Sequence, residues 1–267
     1  MLPKNFEILP EDASLSDRVK LLKTWDDTEL WYKKDDKFKR PKGIVNFKFY
    51  SNDCLFSQTS QGRLFAEVWR QCLDEYLREF TYMASCATLN FDIVVAPDNV
   101  DLTWSGFNDS LPVFVVETIN RIKAMKTADI KDIFEQKKEA MLQEYKNFYL
   151  NQTFRLAWGQ VAYHLQGVDH ERKVLRELLQ KIDYAAFKSS FEQWFTSGRM
   201  IWGFFGNISV ASAIETATLA REVLNINPTK RENLLDFRIV SLPHGEQRLD
   251  FEVEDQKNEN SCLVSYF

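Results

Sequence analysis

The sequence predicts an α+β chain, and three patterns predict it. Runs of β-branched and aromatic residues alternate with polar ones near the start. A hairpin signal follows. Long stretches of helical periodicity then fill the middle, before a last aromatic strand and a further helix.

Residues 1–28 are polar, hold Pro3 and Pro10 and carry acidic, Ser-rich turns, which predicts an extended lead-in with a short helix near Asp17–Lys23. Glu29–Asp35 and Ile44–Tyr50 read as two strands joined by a charged turn. Leu64, Phe65, Val68, Trp69, Cys72, Leu73, Tyr76, Leu77, Phe80 and Met83 then recur at i, i+3, i+4 and i+7, one wide apolar face on a helix of about six turns. Phe91–Ala96 and Leu102–Phe107 predict a hairpin around Pro97-Asp98-Asn99. Asp109 or Ser110 can cap the next helix, whose first turn accepts Pro112 because that amide has no intrahelical partner. From Leu111 to about residue 195 the pattern is helical, with breaks expected near Lys126–Asp129, Asn151, Gly167–Asp169 and Asp183. Arg199–Phe205 is an aromatic strand closed by Gly206-Asn207, and Ser209 is placed to cap a helix running to about Leu224. Residues 227–235 look like a linker. Strands are expected beyond it at Phe237–Leu242, Arg248–Glu254 and Cys262–Phe267.

The chain has 267 residues, enough for one large or two modest domains, and its 45% hydrophobic and 27% charged content is globular rather than disordered. With 21 Phe, 7 Trp and 9 Tyr the core should be rich in aromatic packing. A net charge of −5 argues against a nucleic-acid binder that neutralises phosphates. Cys54, Cys72, Cys86 and Cys262 form no C-x-x-C pair; buried free thiols in a reducing compartment are expected, with Cys72 on a helix's apolar face and Cys262 in a strand. Neither a signal peptide nor an apolar run of bilayer length is visible, which predicts a soluble cytoplasmic chain without membrane contact.

Chemistry-bearing residues are sparse. A catalytic zinc needs converging histidines and a carboxylate with one position left open. The histidines are His164, His170 and His244, and no His-x-x-Glu-His string occurs; where His170-Glu171 imitates its end, Gly167 stands at the first ligand position. His170 is expected to be an exposed residue near a helix start, and no metal, cofactor or catalytic residue is assigned. Asp26-Asp27, Asp35-Asp36 and Glu252/Glu254 read as solvated charge, without the burial that raises a carboxyl pKa. No serine or cysteine stands beside a base in a known nucleophile motif, and the nine glycines never take phosphate-loop spacing. Lys33, Lys34, Lys37, Lys39, Arg40 and Lys42 form a basic cluster around Asp35-Asp36, either an exposed hairpin turn or a contact for an acidic partner. Phe148–Phe154 and Trp202–Phe205 are either core or the wall of a peptide-accepting surface.

Four segments carry a family resemblance: Asn5-Phe6-Glu7-Ile8-Leu9-Pro10, Glu29–Lys42 (E-L-W-Y-K-K-D-D-K-F-K-R-P-K), Ser105-Gly106-Phe107-Asn108-Asp109 and Gly206-Asn207-Ile208. With them the chain resembles the third domain of the insulysin/pitrilysin family of zinc metallopeptidases. The resemblance implies a mostly antiparallel sheet packed against a layer of long helices. It also implies three parts: an extended lead-in at 1–28, a non-catalytic middle domain at 29–235 and the first strands of a fourth domain at 236–267. Family members enclose a peptide chamber between two halves, with zinc in the N-terminal half. This chain would then be a non-catalytic part of the C-terminal half, helping to wall the chamber and inactive alone. Zinc is implied for the full-length enzyme only. The expected partners are the catalytic N-terminal half and peptide substrates, with a homodimer left open. The alternative is a stand-alone binding or assembly module built on the same fold.

Overall fold

The computed structural model describes residues 4–51, 59–165, 171–234, 240–253 and 259–266. Its centre is a mostly antiparallel sheet whose helices lie against one face. The strands are β1 (Lys20–Thr24), β2 (Thr28–Lys34), β3 (Lys42–Tyr50), β4 (Asn90–Val95), β5 (Asn99–Phe107), β6 (Ser197–Gly206) and the two-residue β7 (Asn227–Pro228). Their spatial order is β1-β2-β6-β3-β5-β4, with β7 pairing β6. Every neighbouring pair is antiparallel except β2–β6 and β6–β7.

Alternation decides which side chains go inward. In β3, Val45, Phe47 and Phe49 are buried while Ile44, Asn46 and Lys48 face away; β6 does the same with Met200, Trp202 and Phe204 against Arg199, Ile201 and Phe205. The inward side chains meet the helices α2 (Ser60–Cys86), α3 (Leu111–Met125), α4 (Lys131–Phe148), α6 (Arg172–Lys181), α7 (Tyr184–Glu192) and α8 (Val210–Leu224) in one aromatic-rich core. Trp202 lies 4.5 Å from Phe47 and Trp69 lies 4.0 Å from Trp194, ring centre to ring centre. The helix α5 (Thr153–Leu165) is peripheral, burying only Leu156 and Ala157.

Several sequence signals act as expected. Ser209 caps α8, accepting an orphan amide of its first turn; Thr59 and Asp183, not singled out as caps in the sequence, do the same for α2 and α7. Pro112 sits in the first turn of α3, where Ser110 is the cap residue but makes no side-chain bond. The β4–β5 hairpin forms, and the helical breaks near Lys126–Asp129, Asn151 and Asp183 are present. The break at Gly167–Asp169 lies outside the described residues.

Three expectations are corrected. The lead-in has no helix at Asp17–Lys23; a four-residue α1 (Ala13–Ser16) stops there, and Lys20–Thr24 pairs along β2 as an edge strand. The local pattern gave no sign of the ladder that this edge offers. Second, β2 and β3 are not a hairpin, because β6 lies between them, parallel to β2 and antiparallel to β3. Third, the strands expected after residue 236 do not form among the described residues: 240–242, 248–253 and 262–266 are irregular, the other predicted positions lying outside them. Alternation supplies a face to bury, but a strand also needs a neighbouring strand's hydrogen bonds, and among the described residues none pairs there.

Candidate functional site

The helices pack against one face of the sheet, and the candidate surface is the other face. It carries Glu29 and Trp31 from β2, Arg199 and Ile201 from β6, Asn46 and Lys48 from β3, and Asp101 and Thr103 from β5. Register brings these together: Lys48 stands opposite Asp101 and Asn46 opposite Thr103. Lys48 Nζ lies 3.2 Å from Asp101, while the Asn46 amide donates to Asp101 at 2.6 Å and to Thr103 at 3.0 Å. Glu29 accepts from Arg199 and, at 3.0 Å, from the indole N–H of Trp31. The Arg199 hydrogen bond holds the Glu29 carboxyl below its ordinary pKa, against the opposing effect of partial burial and with help from Trp31.

These charges are spent on each other across the strands. Between them lie Trp31, Ile201 and the half-exposed Ile44. Such a surface can hold an extended chain through apolar and hydrogen-bonding contacts.

The residues singled out in the sequence fall elsewhere or play other parts. His164 and His244 are exposed, and His170 lies outside the described residues. Among the described residues no group of three or more His, Cys, Asp or Glu could hold a metal ion. Asp26 is exposed as expected, but Asp27 is buried: its carboxylate accepts from Arg221 Nε at 2.6 Å and from Thr28 Oγ1 at 2.9 Å. Asp36 is likewise no freely solvated charge, lying 2.9 Å from the buried Lys34 ammonium. Lys34 therefore leaves the expected basic cluster, whereas Lys37, Lys39 and Arg40 remain exposed. Cys72 is buried, while Cys86 and Cys262 are exposed, against the expectation of buried thiols; Cys54 lies outside the described residues. Glu252 is exposed and Glu254 is not described.

The two aromatic segments divide. Trp202 and Phe204 are core, whereas Phe205 turns to the open face and folds over Gly203, where a Cβ would come within 2.6 Å of its ring. Phe148 and Tyr149 line a separate cavity of about 320 Å³ between α2, α4, α5 and α6, where the Arg172 guanidinium lies 4.6 Å from the Phe148 ring centre. The polar ladder around Asn46 was missed by sequence reasoning. Its signal was present, since Asn46 and Lys48 alternate with Val45, Phe47 and Phe49.

In fold this α+β layer pair is similar to part of the crystal structure of pitrilysin, which matches with a TM-score of 0.75 at 16% identity, over 85% of this chain and 24% of that one. The sequence profile described as the middle or third domain of peptidase M16 matches residues 1–177. The chain belongs to the peptidase M16 family, as an insulysin-like middle domain. It is 25% identical to the insulin-degrading enzyme of Homo sapiens over 272 aligned residues, all of this chain and 26% of that protein. With the A-factor-processing enzyme of Saccharomyces cerevisiae it shares 26% identity over 92% of this chain and 24% of that protein. The chain thus spans roughly a quarter of the length of these relatives.

Proposed function

We propose that this chain is a non-catalytic segment of an insulysin-like zinc metalloendopeptidase, and that its open sheet face forms part of the wall of an enclosed peptide chamber. One observation carries the reading: the helices cover a single face of the sheet and leave the other as a charge-paired, half-apolar surface. A wall of this kind meets unfolded peptide without a net field that would select one charge type. Enclosure then contributes by orientation, holding a peptide near reactive groups supplied elsewhere. The names of the relatives speak of degrading insulin and processing A-factor, which agrees with a peptide substrate class. Zinc, where the full-length enzyme uses it, would be held by residues outside this chain, in a catalytic N-terminal half that is its partner. Cytoplasmic placement belongs to the same proposal; no helix among the described residues is long and apolar enough to cross a membrane.

The test has two arms. The purified chain, free of contaminating protease, should leave a fluorogenic peptide uncut with or without added zinc. In the full-length enzyme, replacing Trp31 and Ile44 by Ser should raise KM about threefold to tenfold, the loss of roughly 1 kcal/mol of uniform binding, with kcat held. Metal-dependent cleavage by the isolated chain would overturn the reading, as would unchanged KM in the variant.

A further inference from the structure

The four segments that mark the family converge at one place. The ends of β2, β6 and β5 and the start of β3 share one rim of the sheet: Lys34 is opposite Gly206, Gly206 opposite Gly43, and Gly43 opposite Gly106. Gly206 has a φ of +109° and passes so close to Lys42 that a Cβ would come within 2.6 Å of its carbonyl oxygen. This turn presents Asn207, which is 1% exposed. Its amide spends both functions on one backbone stretch: Oδ1 accepts from Leu9 N at 2.9 Å, and Nδ2 donates to Glu7 O at 2.9 Å. A neighbouring strand would satisfy an extended segment in the same way.

The other turns on this rim add to the hold. Asp36 accepts from Asp12 N at 2.8 Å and is fixed by Lys34, whose ammonium also reaches Leu9 O at 3.5 Å. Asp109 accepts from Lys4 N at 2.9 Å, Phe6 meets Phe107 edge to face at 5.1 Å, and Glu11 pairs with Lys39. Residues 4–11 make no backbone–backbone hydrogen bond among the described residues. Side chains from three turns hold them instead.

We propose that residues 4–12 are a strap seated in a clasp built by the turns at 35–41, 107–109 and 206–208, with Asn207 as its keystone. The clasp sets the path by which polypeptide on the N-terminal side joins this domain. Any motion of a preceding domain is therefore taken up before Lys4 and not within the lead-in. That mechanical consequence rests on the reading of the chain as one segment of a larger enzyme; the clasp itself does not.

Hydrogen exchange on the full chain tests it. In Asn207→Ala, amides in the fragment 4–12 should exchange at least about tenfold faster, the loss of roughly 1.4 kcal/mol of local protection, while β3 and β5 keep theirs. If the buried substitution speeds exchange everywhere, Asp36→Asn decides: it keeps the shape of the side chain and weakens its hold on Lys34 and Asp12. Faster exchange confined to 4–12 in either variant supports the clasp. Unchanged exchange there, or unmodified protein in which 4–12 exchanges as fast as the irregular 259–266, would overturn it. This readout is independent of peptide hydrolysis, so failure of the clasp and failure of the chamber-wall reading give different results.

Discussion

The Asp27–Arg221 pair makes the sharpest stability prediction, because its two members are buried unequally. The Asp27 side chain is 2% exposed and that of Arg221 is 30% exposed, with the guanidinium 5.9 Å from the Trp25 ring centre. Deleting either partner breaks the same 2.6 Å contact but leaves a different remnant. In Arg221→Met the carboxylate stays buried with the Thr28 hydroxyl as its remaining side-chain partner. Breaking a buried pair in this way costs about 3–5 kcal/mol, and the partial exposure of the arginine puts this case near 3 kcal/mol. In Asp27→Ala the guanidinium can rehydrate where it stands and keep its place over Trp25, so about 1–1.5 kcal/mol is lost. At roughly 2–4 °C per kcal/mol for a chain of this size, the melting point should fall about 6–12 °C in the first variant and about 2–6 °C in the second. Urea unfolding of both single variants and the double variant closes the cycle, with an expected coupling above about 1 kcal/mol. The reasoning is refuted if Asp27→Ala is the more costly change, or if the coupling is below about 0.5 kcal/mol, since burial would then not govern the pair.

Further tests follow from the same geometry. Trp202→Ala removes the indole packed between Phe47 and Phe204 at the centre of the sheet and should cost about 3–5 kcal/mol, read as a fall in urea midpoint at constant m-value. Burial pushes the Cys72 thiol up to about 12, so alkylation near pH 8 should label Cys86 and Cys262 in the native protein and Cys72 only after denaturation, as mass spectrometry would show. Asp12 and Asp36 sit below their ordinary pKa, Asp12 chiefly through the Ser14 side chain and Asp36 chiefly through Lys34. A lowered carboxyl stabilises the fold above its unfolded value and loses that contribution as pH falls through the folded one. NMR shifts of residues 4–12 should thus hold steady down to about pH 4 and move toward coil values below it.

What the sequence made legible was local. The face of β3, the periodicity of α2, the break at Asp183 and the cap at Ser209 each follow from residues within one or two turns of each other, and each was readable. Neighbour relations across the sheet were not. The slot between β2 and β3 is filled by β6, more than 150 residues downstream, and alternation in β2 is equally compatible with either neighbour. The same limit explains the candidate charges. Asp26 and Asp27 are adjacent and alike in sequence, yet one is exposed and the other buried, because α8 returns Arg221 to only one of them. It explains the clasp as well: residues 5–10, 105–109 and 206–208 were recognisable singly, but their joint purpose depends on a rim that only the assembled sheet creates.

Residues 240–266 show the converse. Leu249 and Phe251 alternate with Arg248, Asp250 and Glu252 as strand residues do, yet both are exposed, as are Val240 and Leu263. Backbone pairing gives a strand its stability in water, and apolar alternation alone cannot supply it. Among the described residues, a backbone bond from Val240 N to Leu165 O joins this stretch to the end of α5. Exposed alternation of this kind is a template for pairing, so these residues should gain exchange protection wherever a sheet edge is offered to them. Comparing exchange at 248–253 in the isolated chain and in the full-length enzyme decides it. Equal, coil-like rates in both would show that the alternation carries no pairing at all.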